Sequence, residues 1–375
     1  MGALGLAPRL TLLLTPENRL IGVDGGGSGF RAYGVERAAQ GFICEPGRSA
    51  EGSWDYSGAF SPTPIDRQMD EAKNSPGGEA LPLGNMELEA AEQQVRVLGK
   101  AIEFLCEDQG EAFRLGLCMP GLRTASGRGI AICRHGPRSP QLLDKLEKEC
   151  ARRGLNLAVS PPALESDGRA AAWGEEVASG GQLAGVPNAY YIGAGTGLAE
   201  GLKVADVHLD LTRLRQHLPA AWAGRGPSGK SWEDEASFGG MQLLWERSGD
   251  GWVDQAAQAG DVRAREILHS GACALGRWLL MRMEALEAWE GKVLQRIVVG
   301  QRSGQLLADS MAAAWYGDPL REILQAGLLA RQDTSMVMHA LTAGSLRPGF
   351  LCASVLRAAP ALGMAARALD GSASA

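Results

Sequence analysis

Two glycine-rich segments of the sequence have the residue types that bind phosphate groups. The first is Asp24-Gly25-Gly26-Gly27-Ser28-Gly29, and the second is Gly193-Ala194-Gly195-Thr196-Gly197. Glycine has no Cβ, so backbone N–H groups can approach anionic oxygens closely, and the Ser28 and Thr196 hydroxyls can donate to them. Asp24 has the oxygen ligands that Mg²⁺ prefers. Either segment alone could be an ordinary turn, but the pair predicts a phosphate gripped from two walls of a cleft.

An acidic segment supplies a candidate for proton transfer. Glu165-Ser166-Asp167-Gly168 stands where a strand gives way to an alanine-rich helix predicted over 168–176. A carboxylate at that junction can accept the proton of a hydroxyl as its oxygen attacks a γ-phosphate. An aspartate there can equally serve as the N-cap of the helix, and spacing alone leaves both interpretations open.

A third glycine-rich segment matches the P-loop pattern. Gly224-Arg225-Gly226-Pro227-Ser228-Gly229-Lys230-Ser231 fits GxxxxGK[ST], in which Lys230 would contact phosphate and Ser231 a magnesium ion. A P-loop requires a buried strand before it, and the preceding residues 217–223 are short and interrupted by Pro219. Ser231 followed by Asp234 is also typical of a helix cap, which we favour.

The elements that would position these segments alternate between strands and helices. Strands are predicted at 20–24, 30–35, 114–119, 155–160, 189–193, 201–204 and 296–300, and helices at 86–107, 142–152, 168–176, 236–245, 261–290 and from 350 onward. Residues 45–85 have no periodicity and are predicted as a long loop or flap. Each half opens with a strand, a glycine loop and a second strand, so the pattern predicts two α/β lobes around a central cleft.

Composition narrows the classes of function. The 375 residues include 37 Lys and Arg against 43 Asp and Glu, which gives a net charge of −6. This charge argues against a nucleic-acid-binding function and against a polybasic membrane anchor. The apolar runs are too broken for a membrane domain. The seven cysteines are single and odd in number, which disfavours a disulfide framework or a zinc site and favours a reducing, cytoplasmic setting. The five histidines show no metal-ligand spacing.

Taken in order, the motifs resemble those of the ROK family of sugar kinases, within the superfamily of hexokinase and actin-like ATPases. The three glycines after Asp24 are closer to N-acetylglucosamine kinase and related members. The resemblance extends from about residue 20 to 370. Its motifs are the first phosphate loop 21–31, the GxxxPG strand 115–121, the ENDxxAAAxGE-like segment 165–175, the second phosphate loop 195–197, the CLExxAS-like helix start 231–237, the adenosine-side strand and turn 298–301, and the closing helix 358–366.

The resemblance implies an ATP- and Mg²⁺-dependent kinase with a two-lobed actin-like ATPase (ribonuclease H-like) fold. It implies one lobe over 1–175, onto which the helix 360–375 would pack, and a second over 176–359. Asp167 would be the general base and Asp24 would support Mg–ATP. The implied nucleotide contacts are Asp24, Gly25, Gly26, Gly27, Ser28, Gly195, Thr196, Gly197, Gly300 and Gln301. The implied substrate contacts are Pro120, Gly121, Glu165, Ser166 and Glu233.

The departures from the family pattern concern the acceptor and the zinc ion. Residues 205–225 contain no GExGH string, the zinc cysteines are absent, and Ser166 replaces the asparagine of END. We therefore expect a small-molecule acceptor such as a hexose, an amino sugar or a cyclitol, and no nucleic acid or membrane partner. Whether the chain forms a homodimer is left open. A non-catalytic sugar or nucleotide sensor and a partner-coupled ATPase on the same fold remain alternatives.

Overall fold

A computed structural model describes residues 19–370 except 55, 57–59, 107–110 and 332–334. Residues 1–18 and residues 371–375, the end of the helix predicted over 360–375, lie outside the described residues. Among the described helices, none has both the length and the apolar composition that crossing a membrane requires.

The first lobe is built on a mixed sheet in the strand order β3-β2-β1-β4. β1 pairs antiparallel with β2 across the first glycine loop and parallel with β4 on its other side. The elements are β1 (Arg19–Gly25), β2 (Gly29–Ala38), β3 (Gly41–Ser53), α1 (Ile65–Lys73), α2 (Asn85–Leu105), β4 (Phe113–Cys118), β5 (Leu122–Arg123), β6 (Ile130–Ile132), α3 (Leu142–Arg152) and α4 (Asp167–Val177).

The second lobe repeats this plan with the strand order β13-β10-β7-β8-β9. β7 pairs antiparallel with β8 across the second glycine loop and parallel with β10. The elements are β7 (Ala189–Ala194), β8 (Leu198–Val204), β9 (Val207–Leu209), α5 (Trp232–Ala236), α6 (Phe238–Trp245), α7 (Val253–Gln258), α8 (Val262–Glu290), β10 (Arg296–Gly300), α9 (Gln301–Ala308), α10 (Gly317–Leu329), α11 (Ser335–Ala340), β11 (Leu341–Thr342), β12 (Ser345–Leu346) and β13 (Leu351–Ala353), and they are followed by α12 (Ala359–Asp370). The predicted pair of α/β lobes, each opening with a strand, a glycine loop and a strand, is confirmed.

The chain returns to the first lobe at its C-terminal end. α12 packs against β1, β4 and α4. Glycines make this approach possible, because a Cβ on Gly22 or on Gly116 would lie 2.0 Å from the carbonyl oxygen of Ala361 or Met364 respectively. Larger side chains at these two positions would push the helix off the sheet.

The second lobe has its core around α8. Leu268, Leu275 and Leu279 are fully buried there, together with Trp278. The apolar spacing along this helix is therefore that of a packed core, as expected for a helix whose apolar stripe faces a sheet.

The prediction of a long loop over 45–85 is wrong for residues 45–53, which are strand, and for residues 65–73, which are helix. β3 continues to Ser53 as an edge strand with one face towards solvent, so its outer positions are polar and show no apolar alternation. α1 follows, and the residue that it buries is polar: the Gln68 side chain donates to the carbonyl of Cys133 at 2.8 Å and accepts from its N–H at 2.8 Å.

Two further predictions need correction. Residues 155–160 run beside β4, but pairing is reduced to single bridges at Leu157 and Glu165, and the intervening Pro161-Pro162 cannot donate to a ladder. The segment from Phe350 is not all helix, because β13 precedes α12 and pairs with β10.

Candidate functional site

A cleft of about 1860 Å³ lies between the two lobes, and both glycine loops line it. The strands β1 and β7 deliver their loops to the same opening because both lobes use the same plan. Pro120 and Gly121 also line the cleft, as do Ser166 and Asp167 at the start of α4. The structure thus brings together most of the residues that the sequence singled out.

The first glycine loop is a tight turn held from outside. The Gly26 N–H donates to the Gly29 carbonyl at 2.7 Å, and the indole of Trp54 donates to the Gly26 carbonyl at 2.7 Å. The Trp54 backbone N–H donates to the Ser28 carbonyl at 3.0 Å. Trp54 therefore fixes the loop through two of its carbonyls. No motif marks Trp54 for this role, because it follows β3, a strand without apolar alternation.

The second glycine loop is fixed by α6 and by α9. The Gly195 N–H donates to the Gly197 carbonyl at 3.1 Å, and the Gly239 N–H donates to the Gly195 carbonyl at 2.8 Å. The Gln301 side chain lies over Gly195, and the backbone of Gln301 has a φ of 59°. Thr196 and Gln301 line the cleft, whereas Gly300 lies behind it against the Tyr191 hydroxyl.

Asp24 and Asp167 face the cleft as interacting carboxylates. Burial and the Asp167 charge raise the pKa of Asp24 to about 7. Burial, with a smaller contribution from the Glu233 charge, raises the pKa of Asp167 to about 6. The Gly168 N–H donates to Oδ1 of Asp167 at 2.9 Å. Asp167 is the first residue of α4, while Ser166 is the N-cap, so the alternative of Asp167 as the cap does not apply.

These carboxylates fit a magnesium ion. No cluster of three or more His, Cys, Asp or Glu side chains in the described part of the chain could hold a metal. Mg²⁺ does not need one, because it binds through one or two carboxylates, substrate phosphates and retained waters. A cation there would also relieve the repulsion between Asp24 and Asp167.

Glu165 does not line the cleft. Its side chain is buried and forms ion pairs with Arg169 at 3.2 Å, Arg367 at 2.5 Å and Arg123 at 3.8 Å. A carboxylate neutralised by three guanidinium groups is positioned to join α4 to α12 and β5. The expected substrate contact at this residue therefore has no support in its position.

Glu233 lines the cleft from the second lobe. It accepts a hydrogen bond from the Leu198 N–H at 3.1 Å, and it pairs with Arg134 of the first lobe at 2.5 Å. Arg134 also pairs with Asp234 at 3.0 Å, so this contact crosses the mouth of the cleft. Arg134 and its neighbour His135, which packs against Gly27, were not singled out by the sequence. A single arginine after a short strand carries no motif signal.

An aromatic and polar group lines the end of the cleft beyond the second loop. The rings of Phe238 and Trp252 are stacked with centroids 6.2 Å apart, and Trp252 is 55% exposed. Asp254 is fully buried beside them. Its Oδ2 pairs with Arg302, and its Oδ1 has no partner among the described residues. The exposed Trp252 ring offers a flat surface against which a nucleobase could stack.

The P-loop interpretation fails in the structure. The Ser231 hydroxyl accepts from the Asp234 N–H at 3.0 Å and caps α5, as favoured. No strand precedes it in the described residues 210–231, and Lys230 is exposed. The segment is a turn closed by a bridge between Arg225 and Ser231.

Comparisons with known proteins agree with this architecture. A search of protein-family profiles finds no match, and neither does a search of curated proteins. Among solved structures, a ROK family glucokinase from Streptomyces griseus, in complex with glucose and AMPPNP, matches with a TM-score of 0.60 and 19% identity. The match covers 94% of this chain and 100% of that one.

Two other solved structures extend the comparison. A ROK hexokinase from Thermus thermophilus has a TM-score of 0.51 and 18% identity, covering 92% of this chain and 96% of its own. A ROK family transcriptional regulator, described as a homologue of the E. coli MLC protein, has a TM-score of 0.55 and 12% identity and covers 94% and 79%. The chain therefore resembles the ROK proteins in fold, and that fold is the two-lobed actin-like ATPase fold.

Proposed function

We propose that this protein transfers the γ-phosphate of ATP to a hydroxyl of a sugar or sugar-like compound. The observation that carries the proposal is the position of Asp167. Its carboxylate faces a cleft between two glycine loops, and its raised pKa of about 6 lies near the range that suits a general base. The acceptor would be a small molecule, for which a hexose, an amino sugar or a cyclitol are the candidates.

The Asp167 carboxylate is oriented by the Gly168 N–H, which donates to Oδ1. Its other oxygen, Oδ2, would accept the hydrogen bond of the attacking hydroxyl. As the acceptor oxygen attacks the γ-phosphorus in line, its proton passes to this carboxylate. Burial serves the reaction because it brings the pKa of the base closer to neutrality.

The glycine loops would hold the phosphates of ATP. Both loops line the cleft together with Ser28 and Thr196, so the two hydroxyls and the backbone N–H groups not used within the loops would donate to phosphate oxygens. Mg²⁺ would be held near Asp24 and Asp167, and when bound it neutralises charge on the phosphates. Gln301 and the stacked Phe238 and Trp252 would lie on the side of the nucleoside.

Contacts between the lobes would limit the entry of water. Arg134 joins Glu233 and Asp234 across the mouth, and Arg123 of β5 pairs with Asp210 of the second lobe at 2.8 Å. Water in a cleft that binds Mg–ATP would be phosphorylated in place of the acceptor, which is ATP hydrolysis.

The competing function is a non-catalytic sensor of sugar or nucleotide. The likeness to a ROK family transcriptional regulator supports it, since that protein has the same fold and is described as a regulator. The pair of cleft carboxylates with raised pKa values favours the kinase, because a sensor needs no base.

The test is ADP formation from Mg–ATP in the presence of hexoses, amino sugars and cyclitols, each supplied alone. The proposal predicts that at least one compound raises the rate of ADP formation well above the rate without acceptor. A rate that no acceptor changes, in protein shown by calorimetry to bind ATP, would contradict it and favour the sensor or a partner-coupled ATPase.

A further inference from the structure

We infer that the acceptor carries an anionic group, a carboxylate or a phosphate, that Arg215 binds beside the face of Trp222. This inference deepens the proposed function, on which it rests, by naming the substrate class. It comes from residues 210–225, which follow β9 and contribute to the lining of the cleft. We call this side the acceptor end of the cleft, because the family's sugar-binding string would stand in this segment and is absent from it.

The segment lies next to the catalytic carboxylate. The Arg169 guanidinium, two residues after Asp167, donates to the His208 carbonyl at 2.8 Å. Asp210 is held by Arg123, which follows Gly121 by two residues. A 3₁₀ turn at Leu211–Arg213 then carries the chain to Arg215, and Thr212, Arg215 and Trp222 line the same cleft as Asp167.

Arg215 is a cation without a protein counterion. Its guanidinium lies 5.3 Å from the centroid of the Trp222 ring, and no ion pair holds it within the described residues. Asp210 attracts it, but that carboxylate already pairs with Arg123 at 2.8 Å and lies 3.6 Å from Arg213. Burial lowers the pKa of Arg215, so the charge is held at a cost.

The charges behind the segment increase this imbalance. Around Glu165 and Asp210 stand five guanidinium groups, so cations exceed carboxylates. They belong to Arg123, Arg169, Arg213, Arg215 and Arg367. Arg215 is the member of this group that lines the cleft, and Arg225, exposed and also on the cleft surface, adds a further positive charge.

An anionic acceptor satisfies these groups better than a neutral one. A guanidinium binds a carboxylate or phosphate through paired, charge-assisted hydrogen bonds, which are stronger than those to a neutral hydroxyl. The Trp222 ring beside it offers a flat apolar surface to the C–H face of a sugar ring. Together they recognise a ring with an acidic substituent.

The experiment measures binding by calorimetry without ATP, using D-glucose, D-glucuronate, D-glucose 6-phosphate and inorganic phosphate. We expect one of the two anionic sugars to bind about ten- to a hundredfold more tightly than glucose, with affinity falling as salt rises. Which one binds distinguishes a carboxylate from a phosphate. Arg215→Gln should remove the preference and Arg215→Lys should retain part of it.

Arg213→Gln is the matched control, because it removes an equal charge only two residues from Arg215. The Arg213 side chain is 80% exposed and does not line the cleft. This variant should keep the preference. Equal binding of glucose and both anionic sugars, an anionic preference that survives in Arg215→Gln, or inorganic phosphate binding as tightly as the sugars would overturn the inference.

The outcome is separable from that of the proposed function. Anionic sugars that bind through Arg215 but receive no phosphate from ATP would support the anionic site and contradict the kinase. Neutral sugars that are phosphorylated, with no binding of the anionic ones, would contradict the anionic acceptor and leave the kinase standing.

Discussion

The two ends of the cleft are built by different means. At the end proposed to bind phosphate, the surface is formed mainly by the backbone of the two glycine loops. Hydrogen bonds from Trp54 hold the first loop in place, and a hydrogen bond from Gly239 holds the second. At the acceptor end the surface is made of side chains, among them Arg134, Arg215 and Trp222. Backbone sites leave a glycine signature in the sequence, whereas side-chain sites depend on which distant segments meet. The end with the glycine loops therefore carries motifs that resemble those of the ROK family, and the other end departs from the family pattern.

The largest effect that would sharpen this comparison is expected at Asp167. Asp167→Asn removes the base but keeps the shape, so kcat should fall about 10²- to 10⁴-fold while ATP affinity changes little. Steady-state kinetics with a responsive acceptor and calorimetry with ATP measure the two quantities. Asp66→Asn is the control, because Asp66 lines the cleft but is exposed on α1. Equal losses in both variants would remove Asp167 from the role of base.

A substitution in the first loop should act on the nucleotide instead. In Gly29→Ala the new Cβ would lie 2.3 Å from the Gly52 carbonyl oxygen, so the backbone must shift. We expect KM for ATP to rise about tenfold, since a strain of 1–3 kcal/mol is typical of such overpacking. Gly84→Ala has open space around the Cβ and should leave KM unchanged. An unchanged KM in Gly29→Ala would show that this loop does not bind phosphate.

The pH dependence of the reaction should report the carboxylates. Since the base must be ionised, kcat/KM should decline as pH falls through the region of 6 to 7 in which Asp167 and Asp24 titrate. The negative charge of Glu233 helps to raise the pKa of Asp167. Glu233→Gln should therefore lower this pKa and move the acid limb to lower pH. An acid limb that stays in place or moves to higher pH would contradict the electrostatic account.

The smallest effect is expected on stability, from removal of the ion pairs that Arg134 forms with Glu233 and Asp234 across the mouth of the cleft. Arg134→Gln should lower the free energy of unfolding by less than about 1 kcal/mol, because the Arg134 side chain is 42% exposed. The contrast is Arg138→Gln, which would leave the buried Glu87 carboxylate without its guanidinium partner and with only the backbone N–H of residue 138, and should cost about 3–5 kcal/mol. Denaturant unfolding measures both. A loss of several kcal/mol for Arg134→Gln would mean that these ion pairs are structural.

What the sequence could predict follows the same division. The strands β1, β7 and β10, the helices α2, α3 and α8, and both glycine loops follow from apolar periodicity and glycine clusters. The strand β3 could not be read, because an edge strand with a solvent face has no apolar alternation. The role of Trp54, which holds the first loop, could not be predicted for the same reason, because Trp54 follows β3 directly.

The candidate site was predictable only where a motif is local. Asp24, Ser166 and Asp167 lie on the cleft as the motifs suggested. The buried state of Glu165 could not be foreseen, since Arg123 and Arg367, which surround it together with Arg169, are distant in sequence. The same holds for Arg215, which is half-buried and lines the cleft, because its segment meets the first lobe through the ion pair between Asp210 and Arg123, which are distant in sequence.

The most direct test of the central claim follows the γ-phosphate itself. ATP labelled at the γ-phosphate is incubated with Mg²⁺, the protein and an acceptor that raises ADP formation, and the products are separated. The account predicts that the label appears in the acceptor in step with ADP, and that Asp167→Asn abolishes this transfer. Label that appears only as inorganic phosphate, with or without acceptor, would contradict a kinase and identify an ATPase.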